Sequence, residues 1–419
     1  MKTALFHHTV AVLTELQAFA HPADAVVSNY FRNHRTLGHQ DRGVVAEASF
    51  AVLRRWRLLN LLAAVDGAPA TPRRLLLAWL GVLKGTNRRE LEPLLKGEEG
   101  VWLAQAKAVD VSTLPGAVQR DLPDWLDQRL LARLGEEGTQ ALTTALNQPA
   151  PLDLRVNPAK LDREAALKQL AADGIAGEPT PMSPLGIRLR GKPALNKHPL
   201  FLGGSVEVQD EGSQLLGLLV GPKRGEMVAD FCAGAGGKTL LLGAMMRSTG
   251  RLYALDVSEK RLANLKPRLA RSGLSNVHPI RIEHERDIKV KRLAGKLDRV
   301  LVDAPCSGLG TLRRNPDLKW RQSEQSVAEL TVKQAAILAA AATLVKAGGR
   351  LVYATCSLLT EENDAIADAF LAAHPDFVAV DAGELLAAQG ISCPGTRLAL
   401  LPNVHGTDGF FAAVFERSK

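Results

Sequence analysis

The chain has 419 residues, 46% of them hydrophobic and 23% charged, with a net charge of +8 and a pI near 9.4. That length divides into two or three domains, each able to bury a core, and the basic balance favours a polyanionic partner, nucleic acid first, over a merely solubilising surface charge. Aromatics at 5% give no obvious base-stacking sheet, and the longest apolar run, residues 335–345, is too short to span a bilayer.

Residues 1 to about 140 carry apolar positions at three- and four-residue spacing, which predicts an all-α region. His7, His8 and Glu15 interrupt the apolar stretch that a signal peptide would need there. Arg54, Arg55, Arg57, Arg73, Arg74, Arg88 and Arg89 make the region basic, either as one patch or as solvated helix faces. From about 141 to 225 the pattern becomes α+β, with a strand at 152–156, a helix at 163–172 and an alternating strand at 187–190. From 226 to 419 strands and helices alternate, the pattern of a parallel sheet covered by helices. Strands are predicted at 227–230, 251–255, 299–302, 350–353 and 409–415, with a helix from Ser258. The predicted domains are 1–140, 141–225 and 226–419.

Between the first of those strands and its helix lies Cys232-Ala233-Gly234-Ala235-Gly236-Gly237-Lys238-Thr239. It is neither a P-loop, which needs glycine where Cys232 stands, nor a dinucleotide fingerprint, which needs Gly or Ala where Thr239 stands. Glycines and a helix N-terminus still allow a small cofactor to approach the backbone. Asp256 ends the next strand and can accept both hydroxyls of a ribose, or else cap the helix that follows.

Four cysteines over this length make no disulfide framework, and without a Cys-x-x-Cys pair no zinc site is expected. Cys232 and Cys393 read as small buried hydrophobes. Cys306, in Asp303-Ala304-Pro305-Cys306-Ser307, and Cys356, in Ala354-Thr355-Cys356-Ser357, each follow a buried-strand pattern and should emerge at the carboxyl edge of the sheet. Thr360-Glu361-Glu362 reads as a helix start with a capping Thr and first-turn acids, so Cys356 sits on a strand-to-helix connection, where a helix N-terminus lowers a thiol pKa.

These segments together resemble the RsmB/NOL1/NOP2/Sun RNA cytosine-5 methyltransferases. Leu154-Arg155-Val156-Asn157, Val208-Gln209-Asp210-Glu211-Gly212-Ser213, Asn315-Pro316-Asp317-Leu318-Lys319-Trp320, Glu361-Glu362-Asn363 and Asp408-Gly409-Phe410-Phe411 add to the match, in the family's order, from about 125 to the end. The resemblance implies a Rossmann-like class I methyltransferase sheet, preceded by a small α+β, RRM-like domain. It implies S-adenosyl-L-methionine as cofactor and RNA, of the 16S ribosomal type, as partner. Cys356 would add to carbon 6 of cytosine, and Cys306 would help release the product. Asp303 would meet the polar edge of the base, and Lys238 would help hold it. Residues Cys232, Ala233, Gly234, Ala235, Gly236, Gly237 and Lys238 would wrap the methionine end of the cofactor, and Asp256 its ribose; Asp303 also borders the cofactor.

Two positions depart from the pattern. Ala235 stands where the family has proline, which implies a looser turn. The acid beside the adenine falls within 281–287, where Glu283, Glu285 and Asp287 all stand and Glu283 is the choice. The helical segment resembles a NusB-like domain around Gln40-Asp41-Arg42-Gly43 and Ala51-Val52-Leu53-Arg54-Arg55, which assigns RNA recognition to it. The expectation is a cytoplasmic monomer without metal or membrane contact. Two alternatives stand beside it: a DNA cytosine-5 methyltransferase attacking through Cys306, and a non-catalytic RNA-binding assembly factor.

Overall fold

A computed structural model describes residues 1–419 and divides into two compact units, Met1–Pro149 with Thr311–Glu324 and Ala150–Gly310 with Gln325–Lys419. In the first, helices Thr3–Leu16, Ala23–Asn33, His39–Arg54, Trp56–Ala63 and Pro72–Ala78 turn their apolar stripes onto a common core. Phe6, Leu13, Leu53, Leu58, Leu59 and Leu62 are wholly buried there, each worth about 1.5–3 kcal/mol of transfer free energy.

Five of the seven arginines singled out from the sequence are paired or buried. Arg57 pairs with Asp124 at 2.7 Å, Arg73 with Glu99 at 2.8 Å and Arg74 with Asp66 at 2.7 Å, and Arg55 pairs with Asp121. Arg54 is buried and donates to the Arg313 carbonyl at 2.8 Å. Arg88 and Arg89 stay exposed. Most of this positive charge is therefore neutralised or buried inside the unit.

The stretch Thr311–Glu324, far away in sequence, is part of the same unit. Asp317 accepts from the Ala23 amide at 3.2 Å, and Lys319 is 2% exposed with its Nζ 2.8 Å from the Arg54 carbonyl. Burial pushes the Lys319 ammonium down to about 8. Its folded value lies below its unfolded one, so the charged form costs stability at neutral pH, and that cost fades as pH rises from about 8 towards 10.5. The free energy of unfolding of wild type, from urea titration, should therefore gain on that of Lys319→Met between pH 8 and 10, by roughly 3 kcal/mol at most. All five tryptophans (Trp56, Trp79, Trp102, Trp125, Trp320) lie in this unit, so their fluorescence reports its unfolding alone. A gap that does not change with pH would mean that Lys319 carries no buried charge.

The second unit opens with β1 (Leu152–Val156), β2 (Gly177–Pro179), β3 (Gly186–Leu189) and β4 (Val206–Val208). They form an antiparallel sheet in the order β2-β3-β1-β4, and the predicted helix at 163–172 is present as Arg163–Ala172. The large sheet comprises β5 (Met227–Asp230), β6 (Arg251–Asp256), β7 (Val277–Arg281), β8 (Leu297–Asp303), β9 (Val345–Thr355), β10 (Phe377–Val380), β11 (Leu398–Leu400) and β12 (Phe410–Arg417). Its order is β10-β12-β9-β8-β5-β6-β7, with short β11 paired to β12. The strands from β5 to β9 run parallel, and β12 is antiparallel to β9. This is the expected Rossmann-like sheet. Val300, Leu301, Val302, Leu351, Val352 and Ala354 are wholly buried, which is why these strands read as unbroken apolar runs.

From β5 the chain first builds β6 and β7 on one side, then crosses to β8 and β9 on the other. Such a reversal opens a crevice beyond the carboxyl ends of β5 and β8. Register pairs Asp303 of β8 with Ala354 of β9. The two segments that carry Cys306 and Cys356 therefore leave the sheet side by side.

Candidate active site

The glycine-rich turn occupies that crevice, between β5 and the helix Gly237–Met245. Gly236 has φ +82, and a Cβ there would lie 2.1 Å from Leu265 Cδ1, so no larger residue fits. Two arginines hold the turn from behind. Arg268 Nη1 donates to the Ala235 carbonyl at 2.7 Å, and Arg155 Nη1, from β1, donates to the Gly237 carbonyl at 2.6 Å. Glu207 of β4 fixes Arg268 at 2.9 Å and Arg271 at 2.6 Å. The turn that carries Ala235 is thus braced through the small sheet.

Asp256 faces the turn across the crevice. One carboxylate oxygen accepts from the Gly234 amide at 2.8 Å and the other from the Ser258 amide at 2.7 Å. The helix cap is Ser258, whose hydroxyl accepts from the Arg261 amide at 3.3 Å. Each Asp256 oxygen keeps a second acceptor direction for a ligand.

A cavity of about 770 Å³ joins these parts, and Cys232, Ala233, Gly234, Ala235, Gly237, Lys238, Asp256, Asp303, Cys306 and Cys356 all line it. Gly236 shapes the turn without facing the cavity. Glu283 does not line it either: its side chain is largely exposed, 3.4 Å from Arg281. Asp287 turns its carboxylate back to the Glu283 and Lys289 amides. Of the three acids only Glu285 lines the cavity, which moves the expectation from Glu283 to Glu285. The loop between β7 and the helix Ile288–Lys291 has no repeating side-chain direction from which to read this.

Lys238 Nζ lies 2.7 Å from Asp303 Oδ2. Burial would pull the Lys238 ammonium down, but the Asp303 carboxylate outweighs it, and the net shift is upward. Asp230, at the end of β5, is pushed up to about 7 by burial, although Thr239 donates to it at 2.7 Å. Its other oxygen is buried in the cavity wall without a partner. In the sequence Asp230 is merely the last residue of a strand. A carboxylate at a strand end two residues before a glycine-rich turn is the signal that could have found it.

The two sulfurs meet. Cys306 Sγ and Cys356 Sγ are 3.4 Å apart, both half-buried. The Cys306 thiol is pushed well up by its contact with Cys356, by burial and by the charge of Glu362. Cys232 lies in the cavity wall, and burial raises its thiol, while Cys393 packs in the apolar core. Thr360 does not cap a helix. Residues Thr360–Glu362 form a 3₁₀ turn with no side-chain cap, and the helix begins only at Asp364. Glu362, expected as a first-turn acid, is wholly buried between the two cysteine segments.

A family model described as 16S rRNA methyltransferase RsmB/F matches residues 217–416, and one for an RsmF/B-like ferredoxin-like domain matches residues 122–196. A "Probable ribosomal RNA small subunit methyltransferase B" of Synechocystis sp. is 39% identical over 306 residues, which is 72% of this chain and 68% of that protein. The "Ribosomal RNA small subunit methyltransferase B" of Sodalis glossinidius is 34% identical over 402 residues, 90% of each chain. Among solved structures, a methyltransferase homologue of Pyrococcus horikoshii aligns with a TM-score of 0.63 at 27% identity, over 74% of this chain and 100% of its own. The protein PH0851 aligns with a TM-score of 0.81 over 100% of this chain and 99% of its own, and at 24% identity it shows the fold alone. With sequence, sheet order and crevice in agreement, the chain belongs to the RsmB/NOL1/NOP2/Sun family, as a member of the 16S rRNA methyltransferase RsmB/F group.

Proposed function

We propose that this methyltransferase modifies carbon 5 of a cytosine in small-subunit ribosomal RNA through a covalent bond from Cys356. The observation that carries the reading is the pair of sulfurs 3.4 Å apart in the same cavity as the glycine-rich turn. S-adenosylmethionine is the cofactor, and it supplies a methyl group on a sulfonium centre. The residues present fit it. The braced turn 232–238 offers amides to the methionine end, and the unpartnered oxygen of Asp230 lies in the same wall. Asp256 has acceptor capacity for the ribose, and Glu285 serves the adenine side.

Carbon 5 of cytosine is a weak nucleophile until another group adds to carbon 6. The Cys356 thiolate forms a sulfur–carbon bond at C6, and the displaced π electrons make C5 nucleophilic. C5 bonds to the methyl carbon as the methyl–sulfonium bond breaks and leaves its electron pair on the donor sulfur; a base then takes the C5 hydrogen as a proton, and the electrons of that C–H bond expel the Cys356 sulfur from C6. Cys306, held as a thiol beside Cys356, moves a proton at the departing sulfur. Lys238 and Asp303, paired at 2.7 Å, face the same cavity and hold the polar edge of the base. The ring must be unpaired or flipped from its stack to enter.

Bisulfite sequencing of total RNA tests the reading. A cytosine in small-subunit ribosomal RNA that resists conversion in the parent strain should convert fully in a strain lacking this chain, and purified protein with S-adenosylmethionine should restore the resistance. Identical conversion maps would overturn it in favour of a non-catalytic RNA-binding role.

A further inference from the structure

The sequence around the two cysteines is quasi-repeated, Pro305-Cys306-Ser307 and Thr355-Cys356-Ser357. The proposed chemistry uses the sulfurs and leaves the serines without a role. Both serines converge on one side chain, Glu362, which is 0% exposed. Its Oε1 accepts from the Ser307 amide at 2.8 Å and from Gln334 Nε2 at 2.9 Å. Its Oε2 accepts from the Ser307 hydroxyl at 2.5 Å and from the Ser357 hydroxyl. The two serine oxygens are themselves 3.2 Å apart.

The scaffold around this carboxylate is equally specific. Gln334 Nε2 also donates to the Pro305 carbonyl at 3.0 Å, directly before Cys306. The Glu362 carbonyl accepts from the Tyr353 hydroxyl at 2.6 Å. Its neighbour Asn363 accepts from the Thr355 hydroxyl at 2.5 Å and donates to the Ser357 carbonyl at 3.0 Å, one bond on each side of Cys356. A wholly buried carboxylate with four donors and no cation is costly to build unless its geometry is needed. Ordinary helix starts satisfy their acids in water.

We propose that Glu362 is a positioning residue that yokes the two cysteine segments through Ser307 and Ser357 and so sets the separation of the two sulfurs. It touches neither base nor cofactor and acts through the loops it joins. The proposal rests on the two-thiol reading of the reaction, and it explains why each cysteine is followed by serine. A hydroxyl can reach the shared carboxylate while the sulfur beside it faces the cavity.

The test measures thiol adjacency and catalysis separately. Diamide takes up one hydrogen from each of two thiols and leaves a disulfide, so its rate with Cys306 and Cys356, followed by the loss of two mass units from the intact chain, reads their register without RNA. A background carrying Cys232→Ser and Cys393→Ser leaves that pair as the only thiols. Glu362→Ala in this background should slow disulfide formation at least tenfold. In the full chain it should lower kcat for methyl transfer about 100-fold, as expected when reacting groups shift by about 1 Å, with KM for S-adenosylmethionine within twofold of wild type. Glu362→Gln is the conservative rescue: its carbonyl keeps both N–H donors while its NH₂ donates to the two hydroxyls, so register and most of kcat should return.

Cross-oxidation of Glu362→Ala at the wild-type rate would overturn the proposal. So would loss of cofactor affinity in step with kcat, which marks general collapse. If Glu362→Ala does not fold, the Ser307→Ala/Ser357→Ala double variant replaces it: slower cross-oxidation with a lower kcat supports the yoke, and a wild-type oxidation rate overturns it. Slowed cross-oxidation in a protein that methylates no cytosine would leave the yoke standing and remove the reading of the reaction instead.

Discussion

Cys356→Ala yields no detectable methyl transfer, a loss of at least about 10⁴-fold, of the order seen when an enzyme's nucleophile is deleted, and no protein–RNA adduct on a denaturing gel. Cys306→Ala does the opposite: with RNA and S-adenosylmethionine it accumulates an adduct that survives denaturation, and turnover falls about 10²–10⁴-fold, the range for loss of a general acid or base. The asymmetry follows from the surroundings. Burial, the neighbouring sulfur and the Glu362 carboxylate all favour the protonated form of Cys306, which suits a group that gives and takes a proton. A thiol so held is a poor attacking group. Should Cys306→Ala alone abolish the adduct while Cys356→Ala retains it, the attacking sulfur would be the one in Pro305-Cys306, the arrangement of the DNA enzymes.

The second large effect needs no change to any reacting group. Gly310→Ala would set a Cβ 2.2 Å from the Gly409 carbonyl oxygen and 2.8 Å from the Cys356 carbonyl oxygen. Gly310 also donates its amide to the Cys356 carbonyl at 2.8 Å and accepts from the Gly409 amide at 2.8 Å. All of these contacts are backbone on backbone, so no rotamer change relieves them, and the segment carrying Cys356 must move by a large part of an ångström. Overpacking of this kind costs about 1–3 kcal/mol of stability, and the displacement should cost about 100-fold in kcat. The glycine-rich turn lies on other residues, so calorimetric affinity for S-adenosylmethionine should stay within threefold of wild type. A variant with kcat within threefold of wild type would show that the sulfur register tolerates the shift.

The strands of the catalytic sheet are legible in the sequence because a buried parallel strand leaves a continuous apolar run. Leu297–Asp303 and Val345–Thr355 each contain the shorter runs that predict them, and the sulfur positions follow from where those runs stop. The glycine-rich turn is equally legible, since φ +82 at Gly236 excludes other residues. Glu362 misleads because an acid after Thr360 has the local pattern of a helix start; only the return of the chain from β8 brings Ser307 to it. The arginines of the helical unit are ambiguous for a similar reason. The partners of Arg55 and Arg57, Asp121 and Asp124, lie more than sixty residues away from them.

What the sequence determined by itself was the set of chemical groups and the strand ends that bear them, because both depend on local composition and on side-chain period. Tertiary structure decided which groups meet. Arg155 and Arg268 reach the turn from other elements, Glu285 rather than Glu283 faces the cavity, and Thr311–Glu324 joins the helical unit. Those outcomes depend on contacts between residues tens to hundreds of positions apart. A buried carboxylate or guanidinium takes whatever partner the fold brings within hydrogen-bond reach, and no local pattern encodes that distance.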